Sequence, residues 1–167
     1  MVEPPIEQRL MEIIGPLIRD ASASMKDSKT LAKIAIHAGR VALATTALAK
    51  DQGSLETLTL AQRWIDGEDV KDDLETATMG ASVKARKERN KSAKNSMVHE
   101  LIASICHGAL MMRLTDGLDI RKVSGVATSL GADIFGTVPL IIRVNAEKEA
   151  PAILEKLLTE VKELAAQ

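Results

Sequence analysis

An acidic block in the middle of the chain has the residue types that a divalent metal ion requires. Asp69 and Asp73 are four residues apart and would share one face of a helix, with Asp72 beside them. Such a cation needs oxygen ligands that converge from more than one segment. A Glu-x-x-Glu pair, Glu160 with Glu163, lies near the carboxyl terminus, with nothing following that could complete a site. We therefore keep the three aspartates as metal candidates and predict neither a bound metal nor another cofactor.

The three histidines are the best candidates for acid–base chemistry. His99 lies seven residues from Cys106, so both face one side of a helix, but two turns separate them by about 10 Å. Proton transfer needs hydrogen-bond distance, so catalysis would require another helix. The chain has no G-x-S-x-G motif, phosphate-binding glycine loop or C-x-x-C pair. We predict no catalytic residue; the alternative is a hydrolase-type enzyme with an inter-helical carboxylate site containing His37, His99 and His107.

A basic run follows the acidic block, and its cations could bind phosphates or a protein. Nucleic-acid binding would also need stacking side chains, and neither Trp64 nor Phe135 is near in the sequence. The order of the two blocks, acids first and bases last, is the order that a helix dipole favours. We therefore predict one continuous helix from 69 to about 92. A nucleic-acid-binding accessory protein that uses residues 84–94 is a second alternative. The basic residues are Lys84, Arg86, Lys87, Arg89, Lys91 and Lys94.

The composition indicates an α-helical domain in a reducing compartment. Apolar residues make up 46% of the 167 residues and aromatic residues 1%, so Ala, Leu, Ile, Val and Met must fill the core. These residue types favour helices over strands. The net charge of −1 gives no field that would attract polyanions, and Cys106 is the only cysteine. Because the chain begins without a signal-peptide pattern, we expect a cytoplasmic protein.

We also predict no membrane partner. A membrane-spanning helix needs about 20 consecutive, mostly apolar residues. The apolar region over residues 31–49 is interrupted by Lys33, His37 and Arg40, so it does not fit a membrane span.

Apolar residues recur every three or four positions along most of the chain. This pattern predicts an all-α, single-domain bundle of six or seven helices over residues 1–167. Ser28 and Ser54 are the predicted N-caps of the second and third helices. The turn "TDGLD" indicates a sub-boundary near 115–119. The predicted helices cover residues 5–20, 28–50, 54–67, 69–92, 95–112, 123–134 and 153–164.

Helix and strand patterns compete in the segment "GTVPLIIRVN". Its apolar residues are mostly β-branched, which favours a strand. A single strand would lack a pairing partner in an otherwise helical chain. We therefore predict a helix end or a connector, with a short extended segment near 138–144 as the alternative.

Four stretches occur in an order that resembles the immunity-protein helical domains associated with polymorphic toxins: "KTLAKIAIHAGRVALATTAL", "LTLAQRWIDGE", "DDLETATMGASVKAR" and "HELIASICHGALMM". Those domains have an Ala-rich helix, a short helix ending in Trp-x-x-Gly-Glu, a second Ala-rich helix and a His-containing helix. The resemblance covers about residues 29–112. It implies a non-catalytic, all-helical protein that binds another protein, and it brings no catalytic residues. The residues that carry it are Trp64, Gly67, Glu68, His99 and His107.

These features predict a non-catalytic protein-interaction module that binds a protein partner or associates with itself. A bundle with few aromatic residues can present an amphipathic helix face to a partner. The carboxyl-terminal helix is strongly amphipathic and is the expected interface element. The predicted interaction residues are Lys84, Arg86, Lys87, Arg89 and Lys91 in the basic run, and Leu157, Val161 and Leu164 in the last helix.

Overall fold

The computed structural model describes residues 2–114 and 120–167, and every regular element in them is helical. The elements are α1 (Ile6–Asp20), α2 (Met25–Ala44), α3 (Gln52–Ile65), α4 (Lys71–Glu88), α5 (Ala93–Leu114), α6 (Ile120–Ala132), a π-helical turn (Asp133–Thr137), α7 (Val138–Asn145) and α8 (Ala150–Ala166). Because α6, the π-helical turn and α7 are continuous, the described chain forms seven helical rods, which confirms the predicted all-α bundle. The predicted sub-boundary near 115–119 lies outside the described residues.

Two helices, α2 and α5, occupy the centre of the bundle. α2 packs against α1, α3, α5, α6, α7 and α8, whereas α4 packs against α3 and α5 at the edge. Small residues allow the two central helices to approach closely. A Cβ added to Gly39 of α2 would lie 2.7 Å from Ile105 Cδ1 of α5. Buried residues of all eight α-helices join one apolar cluster, so the described chain shares a single core.

The N-caps of α2 and α3 lie about one turn before the predicted serines. Ser24 caps α2, since its hydroxyl accepts a hydrogen bond from a backbone amide in the first turn at 3.2 Å. Asp51 caps α3, and its carboxylate accepts from Ser54 N at 3.0 Å. Ser28 is buried within α2, where its hydroxyl donates to a carbonyl of the preceding loop. The cap predictions were wrong because the sequence offers polar residues at both positions, and packing selects between them.

The extended alternative for residues 138–144 is wrong, because this segment is α7. Val138, Ile141 and Ile142 are buried at helical spacing, so their contacts with the core override their strand propensity. Pro139 lies just after the π-helical turn, inside the continuous helix, where it has no N–H to donate. This π-helical turn precedes α7. Such a turn inserts one extra residue into the helix and so changes which side chains after it face the core.

The continuous helix from Ile120 to Asn145 is long and apolar enough to cross a membrane by length and composition. Half of its most apolar window is buried inside the chain, and buried core helices meet the same criterion. This segment lies apart from the region at residues 31–49, which is part of α2 and the turn that follows it.

The acidic and basic blocks do not share one helix throughout. α4 ends at Glu88, a turn follows, and α5 begins at Ala93, two residues before the predicted start at 95. Ser96 is buried and its hydroxyl donates to Ala85 O of α4 at 2.7 Å, which joins the two helices after the turn. The predicted single helix from 69 to 92 is therefore correct for 71–88 and wrong for the last basic residues.

Candidate functional site

The metal candidates lie at the start of α4 and are exposed. Asp72 and Asp73 occupy the first turn, and Asp69 precedes the helix. Carboxylates stabilise a helix at this end because they face unpaired amides and the positive end of its dipole. Within residues 2–114 and 120–167, no three His, Cys, Asp or Glu side chains are grouped to hold a metal ion. The positions of these aspartates are explained by helix electrostatics.

The three histidines lie in three different environments. His37 of α2 places Nε2 3.2 Å from the Glu160 carboxylate of α8, although the angles are not those of a hydrogen bond. His107 is exposed on α5. His99 is buried on the same helix and faces α3 and α4. The inter-helical enzyme site predicted from His37, His99 and His107 together is therefore not formed.

Cys106 is a buried structural thiol. Its side chain is inaccessible to solvent, with Sγ 3.7 Å from the Thr57 carbonyl oxygen. Burial raises the pKa of this thiol to about 12, while the Arg40 charge acts in the opposite direction. At neutral pH the thiol is protonated, and a protonated thiol is a poor nucleophile.

The apolar face of α8 is covered by the chain's own helices. Leu157 and Val161 are fully buried, and Leu164 is half-buried. α8 packs against α1, α2 and α7. The structure therefore corrects the prediction that these three residues form an interface, because the core of the same chain already contacts them.

The Trp-Ile-Asp-Gly-Glu stretch forms a clamped helix end. Gly67 has φ of +106°, a conformation that favours glycine, and it ends α3. The Arg113 guanidinium of α5 stacks 3.9 Å from the centroid of the Trp64 ring. It also donates to the Trp64 carbonyl at 2.9 Å and to the Glu68 carbonyl at 2.7 Å. Trp64, Gly67 and Glu68, three of the residues that carry the resemblance, thus have a structural role in joining α3 to α5.

The exposed surface of α4 has opposite charges at its two ends. We call the stripe Asp72, Glu75, Thr76, Met79, Val83 and Arg86 the outer face; it lies opposite the buried residues of α4. Met79, in the middle, is 68% exposed. We call Arg86, Lys87, Arg89, Lys91 and Lys94 the basic tip; all five are exposed. Within the described part of the chain, only Arg89 of the basic tip forms an ion pair, with Glu100 at 3.7 Å.

A cleft of about 490 Å³ lies between α3 and α4, with α5 as its floor; we call it the α3–α4–α5 cleft. Its floor contains His99 and Ile102. Small residues of α4 leave the space, among them Gly80 and Ala81. The other lining residues are Gly53, Ser54, Glu56, Thr57, Leu60, Arg63, Asp73, Thr76, Ala77 and Lys84. A volume of this size is typical of sites for small molecules.

His99 is a polar group without a partner at the bottom of this cleft. Its side chain is 5% exposed, and within the described residues neither ring nitrogen forms a hydrogen bond. Burial lowers the pKa of His99, with a further contribution from the Lys84 ammonium, while Asp51 and Glu88 oppose the shift. The imidazole is therefore neutral near pH 7, with one nitrogen able to donate and the other able to accept.

Lys84 reaches across the beginning of α3 at one end of the cleft. A Cβ added to Gly53 would lie 2.7 Å from Lys84 Nζ, so the end of the lysine side chain lies directly against the backbone at Gly53. The Asp51 carboxylate is close enough for Lys84 to contribute to the lowered pKa of Asp51, whose main cause is the Ser54 hydroxyl. The predicted interaction residue Lys84 therefore belongs to the cleft and is separate from the basic tip.

Asp133, the first residue of the π-helical turn, is the other buried ionisable group of note. It is 8% exposed and accepts a hydrogen bond from Ser104 Oγ of α5 at 2.7 Å. Burial raises its pKa to about 6, and the Ser104 hydroxyl opposes this shift. Unlike His99, Asp133 has a protein partner.

A second cleft, of about 650 Å³, lies between the ends of α1, α7 and α8. Its cations are already paired. Arg9 binds the Glu155 carboxylate through two nitrogens, and Arg143 binds Glu7. These ion pairs join α1 to α8 and to α7, which gives the cations of this cleft a structural role.

Comparison of the chain with protein-family models, curated proteins and solved structures gives no match. The resemblance to immunity-protein helical domains therefore stays a prediction.

His99 and Lys84 are both candidates by residue type, but the sequence does not place them together. They come from different helices, and fifteen positions separate them in the sequence. The signal that could have joined them is the stretch "DQGS", because Gly53 beside a capping aspartate leaves room at a helix start for a side chain from elsewhere.

Proposed function

We propose that the protein is a non-catalytic interaction module that associates with a second copy of itself through the outer face of α4 and the adjacent charged residues Asp73 and Lys87. The observation that carries this proposal is the exposed, charge-segregated surface of this helix. Asp72 and Asp73 lie at its start, Arg86 and Lys87 at its end, and the exposed Met79 at its centre. Surfaces with this arrangement are complementary to themselves when two copies run antiparallel.

A two-fold axis near Met79 and Gly80 would pair the ends of two α4 helices. Residues equally distant from the centre then face each other, so Asp72 lies opposite Lys87 of the second copy and Asp73 opposite Arg86. Each contact occurs twice, as in any isologous interface. The helix is about 27 Å long, so opposite charges would meet at both ends while like charges stay far apart.

We expect the association to be weak and sensitive to salt. A single pair of helices covers less than the roughly 1,200 Å² at which stable interfaces begin. Exposed ion pairs contribute little each and are screened by salt within about 10 Å at 0.1 M. The protein should therefore dimerise with rising concentration at low salt and dissociate at high salt.

Charge reversal tests this geometry. The acid-reversed variant carries Asp72→Lys and Asp73→Lys, and the base-reversed variant carries Arg86→Glu and Lys87→Glu. In sedimentation equilibrium at low salt, each variant alone should be monomeric, while their equimolar mixture should form a heterodimer. Circular dichroism would confirm that both remain helical. The matched control, Lys156→Glu with Lys162→Glu on exposed positions of α8, should dimerise like the parent.

A parent protein that remains monomeric at low salt up to about millimolar concentration would overturn the proposal, since interactions weaker than this have little free energy. So would dimers that survive both reversals. The base-reversed variant also tests the nucleic-acid alternative, which lacks a stacking platform because Trp64 is buried. If mixed oligonucleotides bound the parent and not this variant, the basic tip would be assigned to nucleic acid instead.

A further inference from the structure

We propose that the α3–α4–α5 cleft binds a small organic molecule through a carboxylate or phosphate group, with the Lys84 ammonium and the His99 imidazole as the contacts to that group. This inference does not rest on self-association, although Asp73, Thr76 and Gly80 line the cleft and also lie at or beside the proposed dimer contact. Three separate observations support it: an open cavity, a mostly buried imidazole that lines it without a hydrogen-bond partner in the described residues, and a lysine ammonium beside the start of α3.

The unpartnered imidazole is the strongest of the three. Buried polar groups almost always have a hydrogen-bond partner, and an exception calls for a water molecule or a ligand. His99 is 5% exposed, lines the cleft, and has no such partner among the described residues. Among the described residues, the fully buried side-chain nitrogens without a partner are His37 Nε2 and Trp64 Nε1; the ring nitrogens of His99 are not among them and therefore reach the cleft, where a ligand can bind them.

The charge around His99 indicates an anion. Lys84 faces the cleft and forms no ion pair within the described residues, and the first amides of α3, at Gln52 and Gly53, lie beyond the reach of any preceding helical carbonyl. The Ser54 hydroxyl and amide both donate to Oδ2 of Asp51, whose charge opposes that of Lys84 at His99 but has the smaller effect. An oxyanion between the ammonium and the imidazole would therefore accept hydrogen bonds from both.

The rest of the cleft indicates a molecule larger than a free anion. The lining continues along α3 from Gly53 to Arg63, about 15 Å away. Thr76 offers a hydroxyl along the wall, whereas the Thr57 hydroxyl already donates to the Gly53 carbonyl oxygen. Asp73 adds negative charge on the α4 side, and Glu56 lies one turn from Gly53. A ligand with an anionic group at one end and hydroxyl or ammonium groups at the other would complement this distribution.

Titration with inorganic phosphate and with acetate, each at constant ionic strength against chloride, tests the anion contact. The measurement is the His99 ring signal in ¹H–¹³C NMR spectra, with the exposed His107 as internal reference. We expect a saturable shift of His99 alone and an upward change of its pKa in the presence of the anion, because a bound anion stabilises the imidazolium. Phosphate binding without acetate binding would assign the contact to phosphate groups.

Matched variants make the test decisive. Lys84→Met should weaken anion binding at least about tenfold, as expected for loss of a charged hydrogen bond. Lys156→Met removes the same charge from α8 and should leave binding unchanged. The proposal is wrong if His99 shows no saturable shift in the parent, or if Lys84→Met and Lys156→Met bind alike. Lys84 is exposed, so its variant is expected to fold, and failure here would leave the self-association test unaffected.

Discussion

His99 and Asp133 are both buried ionisable side chains, but their surroundings differ. His99 faces an open cleft and has no hydrogen-bond partner in the described residues, whereas Asp133 accepts from Ser104 inside the packed junction of α5 and the π-helical turn. Burial disfavours the charged form of both, lowering the pKa of one and raising that of the other. A shifted pKa alone therefore does not mark a functional site. The combination of burial, a missing partner and an accessible cavity is the more specific signal.

The largest expected effect comes from Asp133→Asn. The folded-state pKa of about 6 lies above the ordinary value of 3.8, so the stability contributed by the protonated form is present below about 3.8 and is lost as pH rises through about 6. Asparagine can still accept from Ser104 but carries no charge. The substitution should therefore raise the free energy of unfolding at pH 7 by up to about 3 kcal/mol.

Urea unfolding between pH 3.5 and 7 measures this effect. The parent should lose stability over that interval relative to the variant. If the two proteins showed parallel pH dependence, Asp133 would titrate normally and the contrast with His99 would fail.

A smaller effect is expected from Ser104→Ala. It leaves the buried Asp133 carboxylate without its hydrogen bond, which should lower stability by about 1–3 kcal/mol above pH 6. In the Asp133→Asn background the same change should cost less, since no charge remains. A double-mutant cycle measures the coupling, and additive effects would show that the bond contributes nothing.

His99→Leu is expected to change stability little at pH 8, within about 1 kcal/mol, because no protein hydrogen bond is lost. The direction in which His99 changes stability with pH follows from its lowered pKa. The folded-state pKa of His99 is lowered, so the stability contributed by the neutral ring is present above about pH 6.5 and is lost as pH falls through the folded-state pKa. When the pH is lowered from 8 to 5.5, the melting temperature should fall less in the variant than in the parent. A loss of several kcal/mol at pH 8 would indicate a structural histidine.

The smallest expected effect is on a single pKa. Lys84→Met should raise the pKa of His99, because the ammonium contributes to its depression, while burial keeps it below its ordinary value. NMR titration of the ring measures the change. Lys156→Met should leave the pKa of His99 unchanged. If the pKa of His99 were unchanged in both variants, Lys84 would be too far from His99 for the two side chains to share a ligand.

The helices could largely be predicted from the sequence, since a three-to-four apolar spacing is a local property. Features that depend on packing could not. The β-branched residues of α7 are helical because Ile141 and Ile142 face the core, and α2 begins at Ser24 because Ser28 is buried. The pairing of Lys84 with His99 needs the relative positions of α3, α4 and α5, which no single segment encodes.

The Arg113 stack on Trp64 also provides an optical probe. Trp64 is the only tryptophan and the chain has no tyrosine, so ultraviolet emission excited at long wavelength comes from a single ring. That ring lies at the end of α3, directly under a guanidinium of α5. Opening of this one junction would therefore be visible by fluorescence without any label, and its rate could be followed separately from the loss of helix in the whole chain.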